Sequence, residues 1–221
     1  MSGPGRRIGI IVALAVEAET LPAPVTERYV VVKTGMGAER AYRGARELIR
    51  ARVGGLVSWG TAVALSPALN TGDLVVPEAV CDQEGRRYEP DTELQARITP
   101  QIRPSGLLGE ASTPLCTLEQ KLRFTKLHGA VAADMETAAI AKAARAAGIP
   151  FAVVRVVVDD LSSEIPPWVL RAIHPDGRAR VPALTRGLLL SPPGDLAHLW
   201  RLGRRLRTAL ETLRRQGAEL Q

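Results

Sequence analysis

Apolar residues fall along this chain in short runs separated by glycine, proline and charge, and each run carries the spacing of a strand or a helix. Ile8–Leu14 is a continuous apolar stretch with isoleucine and valine, which predicts a strand buried on both faces. Tyr29–Lys33 predicts a second strand, ended by Gly35-Met36-Gly37. From Ala38 to Arg52 the small and apolar residues Ala41, Ala45, Leu48 and Ile49 recur at three- and four-residue spacing, with arginines between them, which predicts an amphipathic helix. Leu56–Trp59 predicts a third strand, broken at Gly60, and Leu74–Val80 another, entered through the turn pair Gly72-Asp73. Asp82 to Asp91 reads as a charged loop leading into a less regular region. Ala130–Ala133 is strand-like. Glu136–Ala147 predicts a helix with Ala139, Ile140 and Ala143 on one face, stopped at Gly148 and Pro150. Phe151–Val158 is the most hydrophobic strand and ends abruptly at Asp159-Asp160.

Strands alternating with helices, without an internal repeat or linker, predict an α/β fold in a single domain over residues 1–221. The last third, about 161–221, changes character. Pro166-Pro167 and Pro192-Pro193 flank a segment with Trp168, Leu170, Ile173, Leu184 and Leu188–Leu190. Beyond it Leu196, Leu199, Trp200, Leu206, Leu210 and Leu213 form a stripe at helical spacing. Arg201, Arg204, Arg205, Arg207, Arg214 and Arg215 occupy the other face, so this stretch predicts a basic amphipathic helix.

Composition narrows the function classes. At 46% hydrophobic and 24% charged residues the chain reads as a folded soluble protein, and no apolar run reaches the ~20 residues of a membrane span. Arg6 and Arg7 precede the first apolar run as in a signal peptide, but Glu17 and Glu19 follow it without a cleavage site, so a first strand is expected instead. Cys81 and Cys116 lie far apart, and His128, His174 and His198 are scattered. No metal centre is expected, and the default is a reduced cytoplasmic protein. The net charge of +6 invites a nucleic-acid or anionic-membrane partner, but only 4% of residues are aromatic and none interleave the basic stretches, which argues against nucleic acid.

Three carboxylates stand where strands end or helices begin, the places where α/β folds bind ligands. Glu17 follows the first strand, Glu136 opens a helix, and Asp159 ends the most apolar strand. Singly, each has an ordinary alternative: a solvated loop acid, a helix N-terminal acid, a turn cap. Periodicity alone does not bring them into one site.

Six segments do carry a resemblance: Ile8-Gly9-Ile10-Ile11, Gly35-Met36-Gly37, Ser58-Trp59-Gly60-Thr61-Ala62, Gly72-Asp73-Leu74-Val75-Val76-Pro77, Asp134-Met135-Glu136-Thr137-Ala138-Ala139 and Val154-Arg155-Val156-Val157-Val158-Asp159. In this order they resemble the purine nucleoside phosphorylase and methylthioadenosine/S-adenosylhomocysteine nucleosidase superfamily, over about Ile8 to Asp160. The resemblance implies a central mixed sheet flanked by helices, a homodimer, and cleavage of the N-glycosidic bond of an adenine nucleoside without a cofactor. Asp159 matches the family's acid that protonates purine N7, help typically worth ~10²–10⁴-fold. Val158 departs from the serine that the nucleosidases usually carry there. Glu136 matches the acid that binds the ribose hydroxyls. Met135 matches a residue beneath the sugar, Leu14 and Met36 apolar residues on its 5′ side, and Gly37 and Ala62 fall in the same substrate-binding motifs. Ordinary core is the alternative for Leu14, Met36 and Met135.

Glu17 matches the carboxylate that polarises the attacking water, with Thr61 and Arg155 completing that site. Phosphorylases instead bind phosphate there, and Ser58 stands where the hexameric ones place an arginine. A carboxylate ~4 Å from a phosphate costs on the order of several kcal/mol in a partly buried site, so hydrolysis is expected. Phosphorolysis, with phosphate as co-substrate bound by Arg40 or Arg43, stays open. From Leu161 to Leu206 the chain looks like the tail of hopanoid-associated members, which release adenine from adenosylhopane. That implies a substrate with a hydrophobic 5′ substituent, an apolar channel walled by Trp168, Leu170, Ile173 and Leu188–Leu190, and peripheral contact at the inner membrane face. The reading from a different class is a basic membrane-binding module without catalysis, carried by the C-terminal helix.

Overall fold

The computed structural model describes residues 7–22, 28–166, 169 and 194–220. Four parallel strands form its centre: β1 (Ile8–Val12) lies between β2 (Tyr29–Lys33) and β3 (Gly55–Ala64), and β3 runs on beside β9 (Phe151–Asp159). These are the apolar runs of the sequence; β1, β3 and β9 are apolar on both sides because helices cover both faces, whereas the edge strand β2 exposes Val31 and Lys33. On one face α2 (Ala38–Arg50) and α5 (Thr137–Ala147) set Ala41, Leu48 and Ile140 against Ile11, Leu56, Val153 and Val157. On the other, α3 (Thr92–Ile98) and α6 (Gly194–Ala218) set Leu94, Ile98, Ala209 and Leu213 against Ile10, Val57, Val154 and Val156.

The mixed sheet continues from the far end of β3, which pairs antiparallel with β8 (Ala132–Asp134). From there the order runs through β7 (Leu107–Glu110) and β5 (Ala79–Cys81) to β6 (Arg87–Tyr88), while β4 (Leu74–Val75) pairs antiparallel with β9. A central mixed sheet flanked by helices is therefore present, with a long C-terminal helix.

Several element boundaries differ from the expectation. The first strand stops at Val12, and a short helix α1 (Ala15–Ala18) follows. Gly60 does not break β3. Its backbone stays extended, and a Cβ there would collide with Arg155 Nη1 and approach Glu17 Oε1 to 2.7 Å, so the glycine marks a close approach. Leu74–Val80 is two strands, because Val76-Pro77-Glu78 carries the chain from β9 to β7. The stretch read as a charged loop and irregular region holds β6, α3, β7 and a further helix, α4 (Leu118–His128). Its start was marked by a capping box, in which Gln120 N donates to Thr117 Oγ1 (3.2 Å) and Gln120 Oε1 accepts from Thr117 N (3.1 Å).

The C-terminal helix is docked rather than free. Ala209 and Leu213 are fully buried against the sheet, and Gln216 Nε2 donates to Ile98 O at 3.0 Å. Arg201, Arg204, Arg207, Arg214 and Arg215 are exposed, and so is Trp200, at 64%. Arg205 turns inward. Trp168, Leu170, Ile173, Leu184 and Leu188–Leu190 lie outside the described residues. If the helix belongs to the cooperative core, Leu213→Ala should cost ~2–5 kcal/mol in denaturant unfolding. A loss below about 0.5 kcal/mol, the scale of surface substitutions, would show that α6 is not part of that core.

Candidate active site

The ends of β1, β3, β8 and β9 meet around a cavity of about 150 Å³ whose wall includes Glu17, Asp134, Glu136 and Asp159. Leu14, Met36, Thr61, Ala62 and Met135 share that wall. The acids, scattered over more than a hundred residues of sequence, converge because each follows or ends a strand of the same sheet.

A β-bulge delivers Asp159. Ala62 of β3 pairs with Val157, but the next residue, Val63, pairs with Asp159, which leaves Val158 as the extra residue. In a regular strand Val158 and Asp159 would face opposite sides; here both line the cavity. Asp159 is 4% exposed, and its Oδ1 has no hydrogen-bond partner among the described residues. Burial pushes its pKa above the ordinary aspartate value, while the Lys121 and Arg205 cations pull the other way. Arg205 Nη1 reaches 4.0 Å from Oδ1, and its Nη2 lies 3.5 Å from Asp160 Oδ2.

Glu17 has the opposite surroundings. It occupies the third position of α1, from which its Oε2 reaches back to accept from Leu14 N at 3.0 Å. Its Oε1 accepts from Thr61 N (2.9 Å) and Thr61 Oγ1 (3.0 Å). Three donors thus fix a carboxylate that is only 2% exposed.

Glu136 caps the N-terminal end of α5. Its Oε1 accepts from Gly37 N at 2.7 Å, which a positive φ of 104° at Gly37 permits. Behind it lies Arg155, 2% exposed. Arg155 Nε meets Asp134 Oδ2 at 2.7 Å, its Nη2 lies 3.9 Å from Glu136 Oε2, and Nη2 also donates to Ser58 Oγ (2.8 Å) and Thr137 Oγ1 (2.9 Å). Thr137 Oγ1 in turn donates to Asp134. Burial pulls the pKa of this guanidinium down, but Asp134, Glu136 and Glu17 outweigh it and push it above the ordinary arginine value. Burial, then the Asp134 charge, raises the Glu136 pKa against the pull of Arg155.

Of the residues expected at the site, Asp159, Glu17, Glu136, Leu14, Met36, Thr61, Ala62 and Met135 line the cavity. Gly37 serves through its backbone N–H. Arg155 does not line it; it lies beneath, with Nη1 against Gly60 on the side where Glu17 Oε1 also comes. Ser58 is wholly buried in the Arg155 network, and Arg40 and Arg43 are exposed on α2, with Arg43 paired to Glu39 at 3.3 Å. Sequence reasoning passed over Asp134, although it opens the Asp134-Met135-Glu136 motif, and Leu115 and Ile165, whose segment has no periodicity to announce them. It also passed over Glu110, a buried acid in a separate hollow with Asp82 and Lys142, whose pKa burial pushes up to about 7. Among the described residues no His/Cys/Asp/Glu group has a metal-holding arrangement, and no helix is long and apolar enough to cross a membrane.

Comparison with known proteins agrees with this architecture. Solved structures with the same fold include the 5′-methylthioadenosine/S-adenosylhomocysteine nucleosidase of Neisseria meningitidis in complex with methylthio-immucillin-A. It has 17% identity and a TM-score of 0.70, with 97% of this chain and 98% of that one covered. The corresponding Helicobacter pylori nucleosidase, with butyl-thio-DADMe-Immucillin-A, has 16% identity and a TM-score of 0.67 over 99% and 100% of the two chains. Futalosine hydrolase of Helicobacter pylori has 15% identity and a TM-score of 0.68 over 97% of each. No curated protein sequence matches the chain. The model of the family described as the phosphorylase superfamily matches residues 14–174, well over half the sequence and all of the cavity's lining except Ala13. The chain belongs to the phosphorylase superfamily.

Proposed function

We propose that the protein cleaves the N-glycosidic bond of an adenine nucleoside by attack of water. The observation that carries this reading is Glu17: its carboxylate takes the Leu14 and Thr61 donors that a phosphate would need, and stands beside Asp134 and Glu136. A dianion placed there would face three carboxylates and a guanidinium already engaged by two of them. A water is the better guest. Glu17 polarises it and takes one of its protons as the water oxygen bonds to C1′ and the bond from C1′ to the base breaks, with Thr61 beside it. Glu136 accepts hydrogen bonds from the ribose hydroxyls and stabilises positive charge developing at C1′. Asp159 passes its proton to purine N7, so adenine leaves neutral rather than as an anion. Arg155 acts indirectly, by keeping Asp134 and Glu136 in place. No cofactor is required.

The finer reading is a hydrophobic 5′ substituent, as in adenosylhopane, an adenosine carried through its 5′ carbon on a pentacyclic triterpene. Half-buried Leu14, Met36, Leu115 and Ile165 favour an apolar group on that side. A cavity of about 150 Å³ has no room for a triterpene, so the substituent would extend outside it. The enzyme would work as a homodimer in the cytoplasm, touching anionic membrane through the exposed arginines and Trp200 of α6. Neighbouring nucleosidases were crystallised with analogues bearing methylthio and butylthio groups.

Two experiments test the reading. In rigorously phosphate-free buffer, adenine and a free reducing sugar should form from 5′-methylthioadenosine, Glu17→Gln should slow the reaction strongly, and Asp159→Asn should lower kcat at least ~10²-fold. Activity only with added phosphate, giving a sugar 1-phosphate, would make the protein a phosphorylase. For the finer reading, kcat/KM should favour adenosylhopane over methylthioadenosine and S-adenosylhomocysteine, and the protein should co-sediment with anionic vesicles at low salt. A preference for methylthioadenosine would remove the triterpene substrate and leave the chemistry standing; no sedimentation would remove the membrane contact.

A further inference from the structure

The most deeply buried lysine of the described chain has no part in the chemistry derived so far. Lys121 is 0% exposed on α4, a helix whose leucines point the other way: Leu118, Leu122 and Leu127 are 40%, 50% and 75% exposed. A helix that buries an ammonium and exposes leucines is set up for something other than core packing, because an ammonium loses its hydration on burial and needs fixed partners. The partners are two carbonyls. Nζ donates to Asp160 O and to Ser163 O, each at 2.7 Å. Both belong to the turn that leaves β9 directly after Asp159. The same turn is closed by Ser162 Oγ and Ser163 Oγ on Asp160 Oδ1 (2.7 and 2.8 Å) and by Ile165 N on Cys116 O (2.9 Å).

We propose that Lys121 is a positioning residue for Asp159: it clamps the Asp160–Ser163 turn and so holds the bulged end of β9 with its carboxyl in the cavity. The proposal rests on the reading of Asp159 as the proton donor. The bulge shifts the register of β9 after Val157, and Asp159 ends the strand on one pairing with Val63. The clamp supplies the restraint one residue further on. Its charge matters as well as its reach. The ionisable groups facing Asp159 are Lys121 from α4, Arg205 from α6, Asp160 next along the chain, and Cys116 from the segment before α4. Glu17 and Glu136 share its cavity. Of the two cations, Lys121 is the buried one and Arg205 the partly exposed one, with a side chain 28% exposed. Salt therefore screens Arg205 more than Lys121.

The test is the pH dependence of kcat/KM for 5′-methylthioadenosine. Activity should fall as pH rises through the Asp159 pKa, because the acid must carry its proton. In Lys121→Met the clamp is cut and the cation is gone. The plateau should fall about tenfold or more, and the alkaline limb should move up by about one pH unit, since a lost positive neighbour raises a carboxyl pKa. Lys121→Arg, which keeps the charge, should leave the limb in place. Lys121→Gln, neutral but still a donor, carries the same test if the methionine variant does not fold. A lowered plateau with an unmoved limb in the neutral variants would overturn the proposal. Failure of both neutral variants to fold would also overturn it, assigning Lys121 to folding alone. Arg205→Met, measured alongside, would take over the role if it moved the limb and Lys121 did not. Asp159→Asn separates the two levels: if it stays active the proton-donor reading falls, whereas if it is inactive and the Lys121 limb is unmoved only the clamp falls.

Discussion

A buried guanidinium makes this arrangement of acids tolerable. Arg155 sits under the cavity floor, 2% exposed, with Asp134 at 2.7 Å and Glu136 at 3.9 Å. Without it, Asp134, Glu136 and Glu17 would crowd one low-dielectric region with like charge, and their cheapest escape would be protonation or a change of fold. The guanidinium in turn dictates the backbone above it. Gly60 has no side chain because Arg155 and Glu17 already fill the space that a Cβ would take. Ser58 and Thr137 are hydroxyl residues because Nη2 needs acceptors there. One charge thus accounts for residues on β3, β8, α5 and β9.

The acids around this centre are held in different ways, and the differences match the proposed roles. Glu17 accepts three hydrogen bonds, which suits a carboxylate that must stay oriented toward a water. Asp159 has an oxygen without a hydrogen-bond partner among the described residues, which suits a group that must keep a proton until the base is in place. The restraints on Asp159 come from outside the central sheet. Lys121 on α4 and Arg205 on α6 both reach the β9 exit, so two helices outside the central sheet are tied to the proposed proton donor.

The legible parts of the sequence are those where burial is simple. Ile8–Val12 and Phe151–Asp159 are covered on both faces, so their apolar runs announce them, and Gly148 closes α5 in a left-handed conformation as a C-terminal glycine should. Glu17, Glu136 and Asp159 were legible because motifs at strand ends carry them. Residues 82–129 were not: β6, α3 and β7 are short, and in α4 the pattern is inverted, since it buries Lys121 and exposes Leu118 and Leu122, so hydrophobic periodicity points the wrong way there. Only the capping chemistry at Thr117 and Asp91 marks where those helices begin. The bulge at Val158 and the inward turn of Arg205 have no local signature either, because each depends on a partner distant in sequence.

The most direct measurement is the proton affinity of the Asp159 carboxyl itself. It can be followed by carbon-13 NMR in the full chain as pH is varied, with Asp159→Asn identifying the resonance. The carboxyl is expected to titrate above the ordinary aspartate value of 3.8, because burial outweighs the two cations. Titration at or below that value would mean that Lys121 and Arg205 hold it as a bare carboxylate, and a group already ionised in the resting enzyme has no proton to give to a departing base.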